Sequence, residues 1–142
     1  MRGWIAAFLA VLAAYAAYVR LAPHDPARWH VAVGPGPAEE VAAGGYTLRR
    51  PAQTGDLAAL DRIALATPRT FRLAGSPEAG RITWVTRSRV FGFPDYTTAE
   101  LADGELRVTA RLRFGLGDSG VNRARVRRWL AALDAGITPE DG

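Results

Sequence analysis

Tyr96-Thr97-Thr98-Ala99-Glu100-Leu101-Ala102-Asp103-Gly104-Glu105-Leu106-Arg107-Val108-Thr109-Ala110-Arg111 decides the fold class. Asp-Gly is the preferred pair for a two-residue type I′ turn, so Asp103-Gly104 sets Leu101 opposite Leu106 and Glu100 opposite Arg107. In that register Thr97, Ala99 and Leu101 share a face with Leu106, Val108 and Ala110. Tyr96, Thr98 and Glu100 share the other face with Arg107, Thr109 and Arg111. Both strands sort by polarity at once, which specifies an antiparallel hairpin more firmly than β-propensity alone.

Upstream, Arg81 to Phe91 and Thr70 to Leu73 have the same strand character, divided by Gly, Pro and Asp-Gly breakers, and Tyr46 to Arg50 reads as a first short strand. Helical periodicity appears twice. Asp56 to Ala66 places Leu57, Leu60, Ile63 and Ala64 on one side and stops before Pro68, and Val121 to Ala135 places Val126, Trp129, Leu130 and Leu133 on one stripe before Gly136. The expected fold is α+β, with an antiparallel sheet of about four or five strands covered by two helices. No internal repeat is present.

The beginning of the chain differs in kind. Gly3 to Val19 carries no charge and is flanked by Arg2 and Arg20, an apolar run at about the lower limit for a spanning helix. Ala14-Tyr15-Ala16 also offers a small-x-small signal-peptidase site. The length of the run, with Tyr15 and Tyr18 as interfacial aromatics and Arg20 able to snorkel, favours an uncleaved signal-anchor. Residues 1–22 are therefore expected to be an N-terminal transmembrane anchor or a signal peptide. The Pro- and Gly-rich residues 23–45 are expected to be a tether, and residues 46–142 the α+β domain. Either reading of the start exports the rest, so the expected location is a bacterial inner membrane, single-pass, with the domain facing the periplasm.

All 18 basic residues are arginine, the formal net charge is +4, and no cysteine is present. Disulfides, zinc-thiolate sites and cysteine nucleophiles are thereby excluded. From Arg107 to Arg128 seven arginines oppose the single carboxylate of Asp118, a basic patch. Gly115 to Gly120 fits G-x-G-x-x-G between a strand and a helix, but no returning parallel strand follows, so a dinucleotide site is not expected. Gly117-Asp118-Ser119-Gly120 resembles a serine nucleophile loop, which needs a histidine base. The two histidines, His24 and His30, lie upstream in the tether. Asp118 and Ser119 are better read as caps for the last helix. His24 and His30, six apart without a carboxylate cluster, make a poor metal pair, and packing of Trp29 and His30 on the domain surface is the simpler account. No cofactor, metal or nucleic acid is expected.

Strand alternation puts Arg87 and Arg89 on one side of their strand and Arg107, Arg111 and Arg113 on one side of theirs. Arg113 and Arg123 bracket the glycine loop at a helix N-terminus, where anions are commonly held.

Two stretches resemble a known family: Thr86-Arg87-Ser88-Arg89-Val90-Phe91-Gly92-Phe93-Pro94-Asp95-Tyr96, and Arg113-Phe114-Gly115-Leu116-Gly117-Asp118-Ser119-Gly120-Val121-Asn122-Arg123-Ala124-Arg125-Val126. They are similar to the domain of unknown function 1499 family, and Leu21 to His30 looks like its membrane-anchored alphaproteobacterial members. The resemblance covers most of the chain after residue 20, matches weakly over Gly34 to Gly45, and brings no catalytic residue. It singles out Arg87, Arg89, Asp95, Arg113, Gly115, Asp118, Gly120, Asn122 and Arg123. With Arg111 added from the basic sheet face, the candidate ligand-binding residues are Arg87, Arg89, Asp95, Arg111, Arg113, Asp118, Asn122 and Arg123. The expected function is a non-catalytic binding module for an anionic ligand or lipid head group. The alternatives are a structural or protein-binding component of an envelope complex, and an enzyme using Asp95 and Asp118.

Overall fold

The computed structural model describes residues 1–137. In chain order the elements are α1 (Arg2–Leu21), α2 (Pro26–Trp29), β1 (Glu39–Ala42), β2 (Gly45–Pro51), α3 (Asp56–Ala66), β3 (Thr70–Ser76), β4 (Arg81–Arg87), β5 (Pro94–Ala102), β6 (Glu105–Leu112) and α4 (Val121–Asp134). The strands form one antiparallel sheet in the order β1-β2-β6-β5-β4-β3. The class is α+β as expected, but the sheet has six strands where four or five were predicted. The difference is β1, which lies inside the segment read as a tether.

The β5–β6 hairpin has the register its sequence dictates, with Leu101 opposite Leu106 and Glu100 opposite Arg107. Asp103 and Gly104 have φ of 53° and 75°, the two left-handed residues of a type I′ turn. On one face Tyr46, Ile82, Trp84, Ala99, Leu106, Val108 and Ala110 pack against Leu57, Leu60, Ile63 and Ala64 of α3 and Val126, Trp129 and Leu130 of α4. The Trp84 and Trp129 rings meet edge to face at 5.6 Å. Each buried indole N–H has a partner, Asp61 for Trp84 at 2.9 Å and the Thr67 hydroxyl for Trp129 at 2.8 Å. Asp61 also pairs with Arg72, so one of the two carboxylates that α3 buries is neutralised from β3.

The second face corrects the tether. Residues 22–37 are not a free connector: they run across the sheet as a strap, with Ala22, Trp29 and Val33 buried. Trp29 stacks on Tyr96 at 3.8 Å with the rings within 2° of parallel, and His30 hydrogen-bonds the Thr83 hydroxyl at 2.8 Å. Beyond the single turn of α2, proline and glycine keep the strap out of a helix or a ladder, so its backbone polar groups are met by side chains standing up from the strands. Glu100 accepts from the Val33 amide at 2.8 Å, and Arg49 donates to the carbonyls of Gly34 at 3.0 Å and Pro37 at 2.9 Å. Arg107, expected on an open face, is buried and paired with Asp103 and Glu105, each at 2.8 Å.

Two outcomes follow for stability. Trp129→Ala removes a fully buried ring and is expected to cost about 3–5 kcal/mol in urea denaturation; a loss below about 1 kcal/mol would place that ring outside the core. A chain starting at Tyr46 lacks the strap and β1, leaving Tyr96, Val85, Glu100 and Arg107 uncovered. It is expected to lose the cooperative fluorescence-monitored transition that a chain starting at Leu21 retains.

Candidate functional site

The β4–β5 and β6–α4 connections lie at the same end of the sheet as the last turn of α1, and the candidate residues cluster around them. β4 stops at Arg87 because Ser88 closes a turn: its hydroxyl accepts from the Phe93 amide at 2.9 Å, its amide donates to the Phe93 carbonyl at 2.9 Å, and Gly92 sits at φ 71°. Arg89 therefore stands on an exposed turn and not on the strand face it was expected to share with Arg87.

Asp95 and Asn122 belong to a buried network. Arg125 of α4 donates to Asp95 Oδ2 at 3.1 Å and to Asn122 Oδ1 at 2.7 Å, and Asn122 Nδ2 reaches the Gly44 carbonyl at 3.2 Å. Gly44, at φ 68°, turns β1 into β2 where a Cβ would collide with the Leu112 side chain. The network thus ties α4 to the β1–β2 turn and to the start of β5, which flank the end of β6. Burial pushes the Asp95 carboxyl up from its ordinary value, Arg125 opposes that, and nearby Asp118 adds to it. Asp118 caps α4: Oδ1 accepts from the Gly120 amide at 3.0 Å and Oδ2 from the Asn122 amide at 2.7 Å. Asp95 and Asp118 do line one cavity of about 160 Å³. There Asp118 serves the helix amides and Asp95 is the counter-charge of Arg125.

The arginines separate into groups. Arg113 donates to the Pro23 carbonyl at 2.7 Å and the Tyr96 hydroxyl at 3.1 Å, and Arg111 lies over the Trp29 ring, 5.1 Å from its centroid. The open arginine face expected from strand alternation is thus corrected, because the strap covers it. Arg111 also lines a cavity of about 200 Å³ beneath the strap with Arg49, Thr47 and Thr109. Arg123 leaves the glycine loop and joins Arg127 on Glu39, at 3.2 and 2.7 Å.

Arg87 and Arg89 come together with two arginines that sequence reasoning did not select. Arg20, Arg69, Arg87 and Arg89 line an open groove of about 730 Å³ with Thr67 and Ser88. The groove is built on Arg87, whose Nη1 donates to the Gly92 carbonyl at 2.9 Å and whose Nη2 donates to the Arg20 carbonyl at 3.1 Å. His24 Nε2 lies 2.9 Å from the same Nη2, and its Nδ1 lies 2.6 Å from the Tyr96 hydroxyl. Arginine can only donate, so Nε2 is the acceptor and the neutral ring carries its proton on Nδ1. Burial, with Arg87 and Arg113 nearby, lowers the His24 pKa and holds that neutral form. Arg69, at φ 59°, donates to the Arg87 carbonyl at 3.1 Å. Among the described residues no carboxylate forms an ion pair with any of the four.

A family model described as "Protein of unknown function (DUF1499)" matches residues 20–133. No curated protein matches the chain significantly.

Arg125→Leu leaves Asp95 as an uncompensated buried charge and is expected to cost about 3–5 kcal/mol at neutral pH. Because the native Asp95 pKa is raised, the native state binds this proton before the unfolded state does. Its contribution to stability therefore grows as pH falls through the raised value toward the ordinary one. The Arg125→Leu loss should accordingly shrink between pH 7 and pH 4 in urea titrations, and a loss independent of pH would disconnect the two residues.

Proposed function

The chain belongs to the DUF1499 family of proteins of unknown function, and from that premise we propose a non-catalytic binding module, anchored in the bacterial inner membrane and facing the periplasm, whose arginine groove holds a phosphate-type anion at the bilayer surface. The observation that carries this reading is the set of four arginines without a carboxylate partner among the described residues. Elsewhere on the molecule Arg49, Arg50, Arg72, Arg81, Arg107, Arg123, Arg125 and Arg127 pair with carboxylates, whereas the groove arginines meet carbonyls and the neutral His24 ring at most. Here the charges share one groove, and a phosphate matches guanidinium geometry best when two or more donors converge.

The anchor reading rests on α1, whose 20 residues have a mean hydropathy of 1.8 over the spanning window and are almost wholly exposed. Val19 is the buried exception. Tyr18 packs edge to face on Phe114 at 5.9 Å, and Arg87 holds the Arg20 carbonyl. The helix thus enters the domain as a fixed joint, and Arg20 belongs to the helix end and the groove together. In the proposed setting the groove lies at head-group level.

Full-length protein in a neutral detergent is expected to bind glycerol phosphate, with salt weakening the interaction. Each arginine near a charged surface contributes about 1 kcal/mol, so Arg69→Gln with Arg89→Gln should weaken binding tenfold or more. Calorimetry showing equal affinity for the wild type and the double variant would remove the groove as the site.

A further inference from the structure

A second cavity adjoins the arginine groove. Leu12, Tyr15 and Ala16 of α1 form one wall, Val90, Phe91 and Phe93 of the β4–β5 turn form the other, and Arg20 lines this slot as well as the groove. The slot encloses about 350 Å³. The turn that makes its outer wall is apolar at its tip, with Val90 and Phe91 exposed by 70% and 64%, and in the neighbouring β6–α4 loop Leu116 is 97% exposed. Three large apolar side chains left open at one end of a small domain call for an apolar medium there.

The depth is set by α1. From Arg20 back to Leu12 is eight residues, or about 12 Å along the helix axis, whereas the head-group layer on each side of a bilayer is only about 5–8 Å thick. If Arg20 stands at head-group level, the slot reaches past that layer into the hydrocarbon, and Val90 and Phe91 go with it. What fills an apolar slot open to a bilayer, ending at four cationic side chains, must be apolar at one end and anionic at the other.

We propose that the slot between α1 and the Val90–Phe93 turn receives an acyl chain of an anionic glycerophospholipid whose phosphate lies in the groove of Arg20, Arg69, Arg87 and Arg89. The inference rests on the anchored, anion-binding reading above and names the ligand as a lipid of the surrounding bilayer, not a soluble phosphate. Arg20 is the hinge of the recognition, since it lines both the slot and the groove. Hydrocarbon tails are as apolar as the slot walls, so the slot contributes shape and packing, and the arginines contribute the preference for negative charge.

The test uses full-length protein in neutral detergent, exchanged with phosphatidylglycerol or phosphatidylcholine and read by native mass spectrometry, with glycerol phosphate titrated in parallel. The wild type is expected to retain one phosphatidylglycerol in preference to phosphatidylcholine. Ala16→Phe fills the slot from the helix side and Leu12→Trp from its deep end. Each is expected to reduce lipid retention about tenfold while glycerol phosphate binding stays unchanged. Arg69→Gln with Arg89→Gln should reduce both. Because the chain has no cysteine, Phe91→Cys gives a single site for an environment-sensitive fluorophore, which lipids brominated on their chains should quench in vesicles. Wild-type lipid retention by both slot-filling variants, or a label at position 91 untouched by brominated chains, would overturn the acyl-chain site and leave the anion groove standing. Failure of the wild type to bind either lipid or glycerol phosphate would overturn the groove reading itself.

Discussion

Trp29 lying flat on Tyr96 closes the second face of the sheet, and the placement of Arg49, Glu100, Arg107, Arg111 and Arg113 follows from that closure. An antiparallel sheet ordinarily buries one face and solvates the other. Here the helices take one face and the strap the other, so Glu100, Arg107 and Arg49 stand where water would have been. Burying them is tolerable only if each finds partners. The strap, which has no ladder of its own, needs donors and acceptors for its backbone. The two deficits cancel: Glu100 takes the Val33 amide, Arg49 takes two strap carbonyls, and Arg107 is surrounded by Asp103, Glu105 and the more distant Glu100.

The same economy of partners makes the groove stand out. Arg87 has its terminal nitrogens held by the Gly92 and Arg20 carbonyls and by His24, so it is structural first. It supplies one of the acceptor-satisfying contacts that the C-terminal carbonyls of α1 need. Fixing that helix end brings Arg20 beside Arg69 and Arg89, side chains from three separate parts of the chain with carbonyl partners at most. A folding requirement, closing the end of α1, thereby concentrates charge at one place.

Local periodicity explains what was legible. The β5–β6 register, the helix over 56–66 and the helix from Val121 could be read because polarity alternates or recurs within each element. The strap and β1 could not: Pro and Gly carry no burial period, and β1 is an exposed edge strand opening with Glu39-Glu40. Arg89 was misplaced because alternation cannot announce where a strand ends. Arg125 was missed inside a run of arginines, yet it sits one turn before Trp129 on the stripe that buries Asn122, Val126 and Leu130. A charge on that stripe was a signal for a buried partner. Arg69 had no such signal, since only the tertiary fold brings it to Arg87.

The closure of the strap also decides what an anchor at α1 can do. A flexible connector of the length of residues 23–45 would let the domain wander by about 25–30 Å from the end of the helix, and no side chain would have a defined height above a bilayer. Val19 and Ala22 are buried instead, Tyr18 rests on Phe114, and the strap begins at once. Height and orientation are then set by packing. Only with such a joint can one wall of a cavity come from the apolar helix α1 and the other from a sheet turn. Loosening the strap at Trp29 would act on the slot through the pitch of α1, and on the groove also through Tyr96 and His24, which lead to Arg87.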